Sequence, residues 1–161
     1  MDTMKNMKKK DKMYVGDAPV ILKVKDLEED SRFAGIHDHL PKMPCLALLI
    51  GSVRSGKSNL LVNFFCNESF YKGMFDTVRI ISTTLGTDNK GQLLNEYFDC
   101  DDHYEDYMID AIKQEQSMYP RDERPSYALV LDDVLTQDFS KSNNVSYFAT
   151  RFRHYIFFLI T

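Results

Sequence analysis

Cys45-Leu46-Ala47-Leu48-Leu49-Ile50 runs directly into Gly51-Ser52-Val53-Arg54-Ser55-Gly56-Lys57-Ser58. The first six residues form a continuous apolar run, which predicts a strand buried on both faces, as in a parallel sheet. The next eight match G-x-x-x-x-G-K-[ST] at every fixed position. After them, Leu60, Leu61, Phe64 and Phe65 recur at the spacing of one helix face. Strand, glycine loop and helix in that order are the context of a P-loop. Gly51 and Gly56 permit backbone angles that a side chain forbids, so successive N–H groups can close around phosphate. The helix beginning near Lys57 aims its positive dipole end at the same anion. The predicted cradle is therefore Gly51, Ser52, Val53, Arg54, Ser55, Gly56, Lys57, Ser58 and Asn59. Lys57 is expected to reach the β and γ phosphates of ATP, and the Ser58 hydroxyl to ligate Mg²⁺.

Working outward, 161 residues allow one domain or one domain with a tail, and a hydrophobic fraction of 43% suffices for a core. A net charge of −4 gives no global attraction to nucleic acid, so any DNA contact must come from a local basic patch. Cys45, Cys66 and Cys100 are far apart and form no C-x-x-C pair, and two of them sit in apolar segments and read as buried thiols of a reducing compartment. No apolar run reaches membrane-spanning length, and no hydrophobic signal-peptide region opens the chain. A cytosolic or intravirion protein, not a secreted one, is the expectation.

Residues 1–40 read as a basic tail followed by a short strand and loop. Lys5, Lys8, Lys9, Lys10 and Lys12 make a solvated tail or a phosphate-contacting arm. Val20-Ile21-Leu22-Lys23-Val24-Lys25 is a candidate strand, able to cover a sheet edge. His37, Asp38 and His39 read as a polar loop. Residues 41–161 are the main domain. Residues 75–82 predict a second strand, 104–117 a surface helix, and 127–131 a third strand ending in Asp132-Asp133. An apolar strand ending in two carboxylates is the second half of a P-loop site, with one acid holding Mg²⁺ and the other orienting or deprotonating water. Residues 145–152 predict a short helix and 155–160 a fourth buried strand, preceded by Arg151, Arg153 and His154.

The glycine loop, the strand ending Ser82-Thr83-Thr84, the strand ending Asp132-Asp133 and the Arg151-Phe152-Arg153-His154 element together resemble the DNA-packaging ATPases of poxviruses and giant DNA viruses. These belong to the FtsK–HerA branch of P-loop ATPases, and the resemblance spans roughly residues 42–161. It implies a three-layer α/β P-loop NTPase of the ASCE type, with a mainly parallel sheet in strand order 1-4-3-2. It implies an ATP-driven motor that packages double-stranded viral DNA, works as a homo-oligomeric ring, and meets capsid or portal-vertex components in the virion or host cytoplasm. Carried over by position, Asp132 is the Mg²⁺-side acid, Asp133 the water-activating acid, and Arg151 or Arg153 a finger into a neighbouring subunit. Members usually carry a polar residue just past the fourth strand. The chain ends at Thr161, so the expectation is a domain lacking its fifth strand, with impaired turnover and the P-loop strand at an edge. Arg54 stands where a small residue is common. The competing expectations are a nucleotide kinase, for which the acidic, tyrosine-rich stretch 97–107 makes a poor lid, and a non-catalytic nucleotide-binding or capsid-associated module.

Overall fold

The computed structural model describes residues 31–84, 89–134, 142–156 and 158–160. The lysine-rich tail and the candidate strand at 20–25 lie outside the described residues, as does Thr161. The order of elements is β1 (Cys45–Ala47), α1 (Lys57–Cys66), β2 (Thr77–Ser82), α2 (Asn89–Tyr97), β3 (Asp99–Asp101), α3 (Asp106–Ser117), β4 (Tyr127–Asp132), α4 (Asn143–Arg151) and β5 (Phe158–Ile160), with short 3-10 turns at Ser31–Phe33 and Phe152–His154. Among the described residues all four ladders are parallel, and the sheet order is β1-β5-β4-β2-β3.

Alternation along the central strands builds the layers. In β2, Ile80 joins one core and Ile81 the other; in β4, Ala128 and Val130 join the first, while Tyr127, Leu129 and Leu131 join the second. Neighbouring strand residues point to opposite faces, so both faces must be covered. On the first face α1 packs against α2 and contributes Leu61, Phe64, Phe65 and Leu94. On the second α3 packs against α4 and contributes Met108, Ile109, Ile112 and Phe148. No helix among the described residues is long and apolar enough to cross a membrane.

The sheet departs from expectation in three places. It has five strands among the described residues, not four, because the acidic segment at 99–101 pairs with β2 beyond the expected order. Hydrophobic patterning misses so short and polar a strand; it is held by its ladder and by Arg79, whose Nε donates to Asp101 Oδ2 at 2.8 Å. The strand before the glycine loop is not buried on both faces. It is three residues long at the sheet edge, and Leu46, Leu48 and Ile50 are 45%, 63% and 85% exposed, whereas Cys45, Ala47 and Leu49 pack on the core. Finally, the strand expected over 155–160 begins only at Phe158, after a 3-10 turn that occupies residues 152–154.

One polar clamp aligns the amino ends of β2 and β4. Ser126 donates to Asp76 Oδ2 through both its backbone N and its Oγ, each at 2.7 Å, and Asp76 N donates to Ser126 Oγ at 2.9 Å. The Ser126 hydroxyl, and then its backbone N–H, hold the Asp76 carboxyl below its ordinary pKa. A carboxylate depressed in the folded state stabilises the fold above its unfolded pKa of about 3.9, and that contribution disappears as pH falls through the lower folded value. Asp76→Asn is therefore expected to lower the urea midpoint at neutral pH and to make the loss of stability below about pH 4 shallower. Parallel midpoint-versus-pH curves for the two proteins would remove Asp76 from the acid response.

Candidate functional site

The glycine loop connects β1 to α1 at the carboxyl edge of the sheet, where β2 and β4 also end. Ligand sites of open parallel sheets form at this edge. Ser55 N donates to Ser52 O at 3.1 Å, closing a turn in which Arg54 has φ +63°, a left-handed conformation more often taken by glycine. Gly56 has φ +98° and precedes the helix. A Cβ on Gly51 would lie 2.4 Å from Ser55 Oγ and 3.1 Å from Ser55 Cβ, so a side chain there would force the Ser55 hydroxyl to move.

Gly56 supplies no side-chain cap to α1. The contrast is α4, where Ser142 Oγ accepts from Val145 N at 3.1 Å. A helix start without a side-chain acceptor offers its first-turn N–H groups to an anion. The Lys57 ammonium donates to Gly51 O at 2.9 Å and to Ser52 O at 3.4 Å, so it lies against the loop's own carbonyls. A polyphosphate would replace those two neutral acceptors with charged ones, the stronger partners for an ammonium group.

Ser58 and Asp132, the two expected Mg²⁺-side residues, line one narrow crevice together with Ser82, Thr84, Leu61, Ile80, Gly91 and Leu94. The register of β2 on β4 sets Ser82 opposite Asp132. Ser82 Oγ donates to Asp132 Oδ2 at 3.2 Å and lies 3.2 Å from Thr84 Oγ1. Ser82, named in the sequence only as part of the Ser82-Thr83-Thr84 strand end, is the buried last residue of β2 and touches the carboxylate. Thr83 Oγ1 donates to the backbone O of Asp133 at 2.9 Å, pinning the residue after β4. Asp133 is exposed and left-handed, with φ +52°. Strain of this kind concentrates at functional positions.

A hydroxyl and one carboxylate form a hard-oxygen donor set. Mg²⁺ commonly takes only one or two protein ligands, leaving its other positions to water and substrate phosphates. The donors of Ser58 and Asp132 fit that ion, and the loop backbone with Lys57 fits the polyphosphate. Asn59 follows Ser58 in the first turn of α1. Arg151 and Arg153 are not brought to this site. They end the α4 crossover at the amino edge of the sheet, where Arg124 Nη1 donates to the backbone O of His154 beside the start of β4.

No protein-family model, curated protein or solved structure matches the chain.

Proposed function

We propose that the chain is an ATP-binding and ATP-hydrolysing motor subunit of the P-loop class, which packages viral double-stranded DNA into a capsid. The meeting of Ser58 and Asp132 in one crevice beside the glycine loop carries the nucleotide part of this reading, and the packaging role rests on the resemblance of the glycine loop, the Asp132-Asp133 strand end and the Arg151 to His154 element. In this reading the N–H groups of residues 51–59 hold the phosphates, and Lys57 leaves Gly51 O to neutralise the β and γ oxygens. Ser58 and Asp132 would hold Mg²⁺, which when bound would supply neutralising charge to the phosphates. Asp133 accepts a proton from water as the water oxygen bonds to the γ phosphorus. The bond to the bridging oxygen breaks, its electron pair leaves with ADP, and inorganic phosphate is released. Partners under this reading are further copies of the chain in a ring, duplex DNA and capsid or portal-vertex components, inside the virion or host cytoplasm.

Catalysis by Arg151 or Arg153 would require a neighbouring subunit to bring its amino edge to this carboxyl edge. That separation favours a second reading, a module that binds nucleotide and turns it over slowly or not at all. Titration calorimetry with Mg·ATP tests the common element. Lys57→Ala is expected to weaken binding at least tenfold, about 1.4 kcal/mol or more. Unchanged affinity would remove the nucleotide assignment. DNA-stimulated release of phosphate distinguishes the motor, and transfer to a small acceptor would identify a kinase instead.

A further inference from the structure

We propose that Ser82 sets the metal preference of the crevice, holding Asp132 so that the site favours Mg²⁺ over the larger Ca²⁺. This rests on the nucleotide reading above and adds a positioning residue that acts through Asp132. Ser82 is the last residue of β2, lies opposite Asp132 in the ladder, and is 2% exposed. A serine hydroxyl has one proton and two acceptor positions. An ionised carboxylate can only accept, so the Ser82 proton goes to Asp132 Oδ2, at 3.2 Å. Thr84 takes the acceptor side. Its backbone N donates to Ser82 Oγ at 3.3 Å, and its Oγ1 lies 3.2 Å from the same atom. With the Ser82 proton already committed, the Thr84 hydroxyl is the donor of that second bond. Thr84, Ser82 and Asp132 thus form one ordered chain that ends on a single carboxylate oxygen, and the members of such a chain polarise one another.

The consequence lies in how many oxygens Asp132 can offer. With Oδ2 engaged by Ser82, at most one carboxylate oxygen is left unengaged. That suits Mg²⁺, which is small, demands near-octahedral geometry and fills most of its positions with water and substrate phosphates. Ca²⁺ takes about six to eight oxygens and commonly both oxygens of a carboxylate. The crevice walls do not make up the difference. Leu61, Ile80 and Leu94 are apolar and buried in the core, so they add no oxygen and cannot retreat without disturbing close packing. Removing the Ser82 hydroxyl would free Oδ2, so that Asp132 could turn both oxygens to a larger ion. The partners that orient a metal ligand tune its metal in this way.

Titration calorimetry of ATP into the full chain, in Mg²⁺ and separately in Ca²⁺, tests this. The wild type is expected to bind ATP more tightly in Mg²⁺ than in Ca²⁺. Ser82→Ala should lose about 10–100-fold of the affinity in Mg²⁺, the usual cost of removing a partner that orients a metal ligand. Its affinity in Ca²⁺ should hold or rise, so the preference shrinks or inverts. Ser82→Cys fills the same space with a much weaker donor and should lose the preference as well, so a packing defect in Ser82→Ala does not decide the matter. Thr150→Ala removes an exposed hydroxyl that donates to Tyr147 O on α4, and should match the wild type in both metals. A purely structural role for Ser82 would weaken binding in the two metals alike. An unchanged ratio of the two affinities in the folded Ser82 variants would therefore overturn the proposal and leave the nucleotide reading standing. So would equal affinities in the two metals for the wild type. If the wild type binds ATP in neither metal, the nucleotide reading falls and takes the metal preference with it.

Discussion

Phe158→Ala is expected to cost about 3–5 kcal/mol, the loss found for large aromatic truncations in close-packed cores. Phe158 is fully buried in β5. Its ring is 5.1 Å from that of Tyr71 and 5.9 Å from those of Phe64 and Phe75, the last of these stacked. The cluster is closed by Tyr71, whose hydroxyl donates to Pro41 O at 2.8 Å. A rigid shell of rings cannot collapse around a missing phenyl, so both the transfer term and the cavity term apply. The effect extends to the functional edge. Phe158 pairs with Cys45 on one side and Ala128 on the other, so β5 is the strand that joins the glycine-loop strand to the strand ending in Asp132. In urea the midpoint should fall by about 2 M with an unchanged m value. Tyr107→Ala, on the exposed face of α3, is the control and should stay within about 0.5 kcal/mol. A Phe158→Ala loss as small as the control's would place that ring outside the core.

Asp133→Asn is expected to lower ATP turnover by about 10²–10⁴, the usual worth of a positioned general base, while sparing Mg·ATP binding. The amide keeps the shape of the carboxylate but cannot take the proton of water at neutral pH. Thr83 bonds the backbone O of Asp133, not its carboxylate, so the left-handed turn should survive the change. Asp132→Asn has a different expected outcome. Its carboxylate accepts from Ser82 and shares the crevice with Ser58, so its loss should weaken the Mg²⁺ dependence of binding. Single-turnover phosphate release combined with calorimetry separates the two. If Asp132→Asn binds normally without turnover and Asp133→Asn loses Mg²⁺-dependent affinity, the roles are exchanged.

The local elements of the site were legible because the signals that make them are local. Two glycines at fixed spacing, an apolar run before them and a helical face after them are short-range properties of the backbone. They predicted the loop and α1, which begins at Lys57. The run 127–131 is apolar at every position because β4 is covered on both faces, and β4 ends at Asp132. The same reasoning failed for 45–50, which is as apolar as β4 yet lies at the sheet edge with alternate residues exposed. Hydropathy reports what a strand can bury, whereas its neighbours decide what it does bury. β3 was missed for the converse reason: Asp99-Cys100-Asp101 has no hydrophobic period, and only pairing with β2 makes it a strand.

By itself, then, the sequence determined the glycine loop, the helix it opens and the carboxylate-ending strand, since each rests on residue types at short spacing. The tertiary structure alone decided which of these meet. Parallel pairing put Ser82 opposite Asp132 and brought Ser58 to the same crevice, across separations that no local pattern records. It also carried Arg151 and Arg153 to the other edge, because a right-handed crossover helix must return the chain to the start of the next parallel strand. Arg32, Arg124 and His154 converge there through side-chain to carbonyl bonds between segments far apart in sequence.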